Sequence, residues 1–353
     1  MLTLKTLMKK RILIAPLNWG LGHATRCIPV INSLIAFGFE PLIASDGNAL
    51  ELLKKEFPRL ALLTLPSYNI SYPTKGSFKW HFAKSIPRII RIKNEEHKLV
   101  ESIIESHQID GIISDNRFGV FSKKVPSVYL THQPNVLSGN TSFLSTKWHL
   151  NIIAQYNECW IPDNNNRALT GILGNSTKVK IKTKYIGPLS RFKITNGEEK
   201  FDLMILLSGP EPQRTLLEEK LLSQLKKYSK KVLLVRGVVE SKQTISVNEN
   251  CTIYNYMLAN ELNKALNSSA LVLARSGYST IMDLAKLKKK AFFIPTPGQY
   301  EQEFLARHLE VTKTAPYTHQ KDFKLSDLNL VENYSGFTNI KFTELNKDLF
   351  SLF

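Results

Sequence analysis

The 353 residues, 43% apolar and 22% charged, have the composition of a folded globular protein and exceed what one hydrophobic core usually supports, so two domains with a cleft are expected. No stretch approaches the ~20 apolar residues of a membrane span, Met1–Lys10 leads into no signal-peptide core, and Cys27, Cys159 and Cys251 show no CxxC or His-rich spacing, which together point to a cytoplasmic chain with reduced, buried thiols. The formal charge is +17, of which residues 1–190 (24 Lys+Arg, 12 Asp+Glu) hold +12 and residues 191–353 (23 and 18) hold +5; phosphorylated small molecules or anionic lipid answer that excess, whereas the interleaved stacking aromatics of a nucleic-acid binder are missing.

Short β-rich apolar runs alternate with helical periodicity along the chain, the pattern of parallel sheets wound by helices. In residues 1–187 the expected strands are RILIAP, EPLIAS, ALLTLP, DGIIS, PSVYLTH and ECWIP, with helices over His23–Phe37, Ala49–Phe57, about Phe82–Ser106 and about Phe143–Tyr156. The first strand runs straight into Asn18-Trp19-Gly20-Leu21-Gly22-His23. Glycines at a strand-to-helix turn let backbone approach a ligand, and the helix start favours negative charge. Gly20-x-Gly22-x-x-Thr25 with Asp46 beyond the second strand also admits a dinucleotide reading, although Thr25 stands where that fingerprint has its third glycine. His23, on the rim of this turn, suits proton abstraction from a hydroxyl. Asp115 ends the fourth strand on the same edge and is placed to orient that imidazole.

Between Lys75 and Lys93, six cations (Lys75, Lys79, Lys84, Arg88, Arg91, Lys93) interleave with Phe78, Trp80, Phe82 and four isoleucines and no acid. A segment of that kind either lies on an anionic bilayer or packs its apolar side on the domain. A polar stretch and a linker centred on Gly187-Pro188 follow, and a second alternation fills residues 188–353. Its strands are FDLMILL, KVLLVRG, CTIYN, ALVLA and AFFIP, with helices near Arg214–Tyr228, Leu258–Asn267, Ser279–Leu287 and Glu301–Leu309. The ALVLA strand opens into Arg275-Ser276-Gly277-Tyr278-Ser279-Thr280, where hydroxyls, a glycine, free N–H groups and Arg275 can hold a diphosphate without a metal. Asp283 follows deeper in that helix, positioned for ribose hydroxyls, and Glu301 and Gln302 follow the next strand, where acid and amide groups read sugar hydroxyls.

Arg275-Ser276-Gly277 with Thr280 and Asp283, then Glu301-Gln302 before Leu305-Ala306, resembles the donor-sugar region of glycosyltransferase family 28, the family of MurG-type transferases. The resemblance makes Tyr254-Asn255-Tyr256-Met257 similar to the family's uracil-side loop, Gly20, Gly22 and His23 to its glycine-rich loop, and Thr131-His132-Gln133 to its acceptor-side loop. The family's phosphate loops are richer in glycine, and here Ser208-Gly209-Pro210-Glu211-Pro212 leaves only Ser208 and Gly209 as contacts. Asp283 stands where the family usually has Glu.

These residues imply an α/β chain of two doubly wound Rossmann-like domains facing a cleft, the GT-B architecture. The implied activity is an inverting transfer from a UDP-sugar, such as UDP-N-acetylglucosamine, to a hydroxyl acceptor, with no cofactor. No Asp-x-Asp occurs, consistent with Arg275 and the helix start in place of a divalent cation. A UDP-N-acetylglucosamine 2-epimerase of the same architecture, and a nucleotide-sugar-binding protein without chemistry, remain alternatives.

Overall fold

In the computed structural model, residues 9–68, 78–238, 240–248 and 250–353 are described, with side chains of 78–85 left aside. The first half is a seven-stranded sheet in the order β3-β2-β1-β4-β5-β6-β7, every pair parallel. Its elements are β1 (Arg11–Pro16), α1 (Gly22–Ala36), β2 (Glu40–Ser45), α2 (Gly47–Glu56), β3 (Leu62–Thr64), α3 (Phe78–His107), β4 (Gly111–Asp115), β5 (Ser127–Leu130), α4 (Ser142–Ile153), β6 (Glu158–Ile161) and β7 (Lys182–Tyr185). The last five residues of β1 and all of β4 and β5 are buried, as strands covered by helices on both faces must be. Helix α1 turns Ala24, Cys27, Ile31 and Leu34 into the core, the i, i+3, i+4 spacing of one apolar face. It stops at Phe37 because Gly38 takes φ +88° and its N–H reaches the Ile35 carbonyl at 3.1 Å. Leu34 is fully buried, and Leu34→Ala would cost about 2–5 kcal/mol.

The second half holds β8 (Phe201–Leu206), α5 (Gln213–Leu225), β9 (Val232–Val235), β10 (Ile245–Asn248), β11 (Cys251–Tyr254), α6 (Ala259–Asn267), β12 (Ser269–Ala274), α7 (Tyr278–Lys286), β13 (Lys290–Phe293) and α8 (Tyr300–Val311). Its sheet runs β10-β11-β9-β8-β12-β13, parallel except for the β10/β11 pair. Two strands depart from the sequence reading. The Lys-rich β7 and the wholly exposed β10 are edge strands, and their polar or short runs lack the apolar signature of a covered strand. The cysteine expectation is also modified: Cys27 and Cys159 are buried, Cys251 only half so.

The expected 188–353 unit does not include the return of the chain's last residues to the first sheet. Phe350 packs between Phe37, Phe39 and Trp160, with ring centroids 5.8, 6.0 and 5.6 Å away. Phe353 lies against Gly111, where an added Cβ would meet its ring at 2.2 Å. One hydrophobic cluster, which includes Phe350 and Phe353, runs through both halves. Among the described residues no helix is long and apolar enough to cross a membrane.

Candidate active site

Among the parallel strands of each sheet the order reverses once, between β1 and β4 in the first and between β8 and β12 in the second. Open α/β sheets bind ligands outside the carboxyl ends of the strands at such reversals. Pro16 at the end of β1 is in register with Asp115 at the end of β4, and Leu206 at the end of β8 with Ala274 at the end of β12. Asp115 and the turn opening at Arg275 therefore fall at the two reversal points, and helices α1 and α7 bring their starts together: Ser279 Oγ donates to the Gly22 carbonyl at 2.9 Å. A Cβ on Gly22 would sit 2.8 Å from that hydroxyl, so glycine is what permits the approach.

At the first reversal, His23 Nδ1 lies 2.9 Å from Asp115 Oδ1. Asp115 is fully buried and also holds Arg26, whose Nε donates to Oδ2 at 2.6 Å while Nη2 closes on Oδ1. Burial alone would push the Asp115 carboxyl up, but Arg26 and His23 outweigh it and hold the group well below the usual carboxylate range. The same balance leaves Arg26 raised: burial lowers it, and Asp115 more than restores it. Cys27 Sγ, 3.5 Å from Asp115 Oδ2, is pushed far up by burial and stays a thiol.

The network crosses to the second half through His132. Arg26 Nη1 is 2.9 Å from His132 Nδ1, His132 Nε2 is 2.9 Å from Glu301 Oε1, and the imidazole stacks on Tyr278 at 4.4 Å and 4°. A guanidinium only donates, so Nδ1 of His132 accepts and Nε2–H donates to Glu301. Burial, ahead of the opposing pull of Glu301, holds His132 below its ordinary range, hence neutral. Glu301 is lowered: burial raises it and His132 overrides that. A residue expected on the acceptor side is thus bonded to one expected on the donor side.

The second reversal is prepared differently. Arg275 is buried, and its Nη1 donates to the Ile294 and Pro295 carbonyls at 3.1 and 3.2 Å. Its Nη2 donates to the Gln213 carbonyl at 2.8 Å and to Gln320 Oε1 at 2.7 Å. No carboxylate pairs with it among the described residues, and burial lowers it to about 10. Arg275 Nε and Thr296 Oγ1 are buried without a partner, and both flank Gly209, whose added Cβ would stand 3.3 Å from Thr296 Oγ1 and 4.0 Å from Arg275 Nε. Ser208 and Gly209 are exposed on this loop, and Gly277 opens α7 with nothing within 4 Å of its Cβ position. Thr280 is half-buried in the first turn of α7, and Met257 packs half-buried on the core.

Three expected residues are engaged otherwise here. Ser276 Oγ donates to the Gln302 carbonyl at 2.8 Å. The Gln302 amide is occupied at both ends, its Oε1 accepting from Thr296 N at 2.9 Å and its Nε2 donating to Gln299 Oε1 at 2.5 Å. Asp283 lies apart, beside the linker, where Ser190 Oγ donates to it at 2.6 Å; burial, more than the opposing Arg191, raises it to about 6. Gly20 is exposed at φ +77°, and Gln133 is half-buried beside His132.

Sequence reasoning missed Arg26, Arg191 and Thr296. The one local signal for Arg26 is its i+3 spacing from His23, which puts both on one face of α1. The dinucleotide reading fails on Asp46, which is buried and accepts from Arg117 Nη1 at 2.7 Å and Asn18 Nδ2 at 3.1 Å. That carboxylate is not free for a ribose.

Residues 212–333 match the glycosyltransferase family 28 C-terminal domain. No curated protein matches the chain in sequence. Among solved structures, the chain is similar to Acinetobacter baumannii MurG (TM-score 0.54, 13% identity, covering 92% of this chain and 89% of that one). It is also similar to Arabidopsis thaliana UGT89C1 complexed with UDP-L-rhamnose (0.62, 12%, 92% and 89%) and to the spinosyn rhamnosyltransferase SpnG complexed with thymidine diphosphate (0.61, 14%, 93% and 93%). At such identities the likeness establishes the fold, two Rossmann-like domains as in GT-B glycosyltransferases.

Proposed function

Because the chain carries a glycosyltransferase family 28 C-terminal domain on the GT-B glycosyltransferase fold, we propose that it moves a sugar from a UDP-sugar to a hydroxyl acceptor, without a metal ion and with inversion. The observation that carries this is the meeting of the two reversal points: a histidine–carboxylate pair on α1 and β4 faces the Arg275–Thr280 helix start across the Gly22–Ser279 contact. With Nδ1–H directed at Asp115, His23 Nε2 is bare and takes the acceptor proton. The acceptor oxygen attacks the anomeric carbon from the face opposite the diphosphate, the carbon–oxygen bond to the phosphate breaks, and its electron pair leaves on UDP. Negative charge growing there is met by the α7 helix start and by the unpaired cation of Arg275.

UDP-N-acetylglucosamine is the donor to test first, on the family resemblance. A lipid-linked acceptor at the inner face of a membrane fits the surface of the first half, where Ile86 and Ile90 are 43% and 45% exposed on α3 beside exposed Arg88 and Arg91. The remaining cations of that segment, Lys75, Lys79 and Lys84, lie outside the residues whose side chains are described. On α4, Phe143 (73% exposed), Leu144 and Lys147 add a second apolar and basic patch. The reading is tested by UDP release and product analysis over a panel of UDP-, GDP- and dTDP-sugars. Free UDP with a conjugated sugar is expected; an isomerised sugar nucleotide, or binding of NAD in place of a sugar nucleotide, overturns it.

A further inference from the structure

Arg26 is enclosed by the residues that would perform the chemistry, yet its guanidinium has no line to the reacting atoms. It sits one turn after His23 on α1, buried, with Nε and Nη2 on the two oxygens of Asp115 and Nη1 on His132 Nδ1. All five of its N–H groups are donors. This fixes the proton on His132. His132 must offer a bare Nδ1, so its single proton is on Nε2, where Glu301 accepts it. Arg26 Nη2, which has one of its two N–H groups on Asp115 Oδ1, also lies 2.9 Å from His23 Nδ1, so Nδ1 stands between a donor and an acceptor. In the base-competent tautomer Nδ1–H points at the acceptor-only carboxylate oxygen 2.9 Å away, leaving His23 Nε2 unprotonated.

Resting on the glycosyl-transfer reading for its functional meaning, we infer that Arg26 is a positioning residue with two outputs. Toward the first half it clamps Asp115 through both carboxylate oxygens and matches its charge, so that the carboxylate is held in place to orient His23. Toward the second half it sets the tautomer through which His132 holds Glu301, so base geometry and a donor-side carboxylate answer to one side chain. Among the described residues, the charged and titratable groups facing His23 are Asp115 on β4, Arg26 on α1, His132 after β5, and Glu301 on α8, with Cys27 behind them against Asp115. Arg26 is the only permanent cation among them. Its removal leaves Asp115 as an uncompensated buried anion, which favours protonated His23 and shifts activity to higher pH.

Two measurements decide it. In the intact parent chain, histidine ring nitrogen correlations at neutral pH should show His132 as the Nε2–H tautomer and His23 as the Nδ1–H tautomer; His132 protonated on Nδ1 overturns the inference with no substrate needed. In the pH profile of kcat/KM for UDP release, Arg26→Met should move the acid limb up by about one pH unit or more. Arg26→Lys, which keeps the charge, should hold the limb within a few tenths of a unit while turnover falls. An unmoved limb in Arg26→Met, or equal movement in both variants, reduces Arg26 to a packing residue. If Arg26→Met does not fold, a shifted limb in Arg26→Lys alone overturns the charge argument. Should the parent release UDP from no sugar nucleotide, the glycosyl-transfer reading falls, while the tautomer measurement still decides whether Arg26 sets its neighbours.

Discussion

The two reversal points share a topology and differ in how their charges are prepared. At the first, the buried guanidinium of Arg26 is matched by Asp115 and stays raised despite its burial. At the second, the buried guanidinium of Arg275 is met, among the described residues, by carbonyl and amide oxygens alone, and burial lowers it to about 10. Desolvating a cation without a counter-charge is costly. A protein keeps such a group where an anion arrives later, and the unpartnered Arg275 Nε and Thr296 Oγ1 beside exposed Gly209 face the same way. On the proposed reading the first site is complete as it stands and serves proton chemistry, while the second awaits a phosphate.

The largest expected effect breaks the first site alone. His23→Ala should cut turnover by about 10²-fold or more while UDP affinity stays within twofold, because no donor-side atom is removed. Turnover within a few-fold of the parent would move the base elsewhere. Next, Arg275→Met should weaken UDP binding by about 1.5–3 kcal/mol, the value of a hydrogen bond to a charged group, measured by calorimetry. Thermal stability without ligand should fall less than with UDP, since the parent alone carries an unpaired cation that the ligand relieves. Equal UDP affinity in the two proteins would put the diphosphate elsewhere.

Asp283 sharpens the comparison through pH. Its folded pKa, raised to about 6 by burial against Arg191, exceeds that of an unfolded aspartate near ~3.9. The native state therefore binds the proton more tightly, and stability falls as pH rises from the unfolded value through about 6, staying lower above it. Asp283→Asn keeps an acceptor for Ser190 and removes that ionisation. It should be more stable than the parent above pH 6 and converge with it near pH 4. A parent melting temperature flat from pH 4 to 7 would contradict the burial that raises this carboxyl.

Much of the fold was legible because covered strands and amphipathic helices write their periods into the chain. Gly22–Ala36, Ala259–Asn267 and Tyr278–Lys286 fall within about two residues of the expected helices, and His23 and Asp115 meet as expected. What the sequence hides is pairing at a distance. Arg26 reads as one cation in a helix until Asp115, 89 residues away, is folded onto it. The His132–Glu301 bond spans 169 residues and joins two sites that local motifs assign to opposite substrates. Glutamine tells a similar story: Gln302 carries the right chemistry for a sugar hydroxyl, but only the loop geometry reveals that Thr296 and Gln299 already occupy its amide.

The smallest expected effect concerns charge outside both sites. The first half carries +12, yet its buried cations are matched: Arg26 by Asp115, and Arg117 by Glu96 Oε1 at 2.5 Å and Asp46 Oδ1 at 2.7 Å. The surplus therefore resides on the surface, and on α3 it stands beside exposed Ile86 and Ile90 while Ile89 and Ile92 pack inward. Arg91 is only loosely held, 3.5 Å from exposed Glu95, and such a pair contributes little. Cations near anionic headgroups are worth ~1 kcal/mol each. The chain should then sediment with anionic vesicles and not with zwitterionic ones, with salt reversing it. Arg88→Glu with Arg91→Glu should weaken that sedimentation several-fold and leave UDP release on a short soluble acceptor unchanged, since neither residue touches the proposed site. Equal recovery on both kinds of vesicle, or on neither, would assign the surface charge to no membrane and leave phosphorylated ligands as its remaining use.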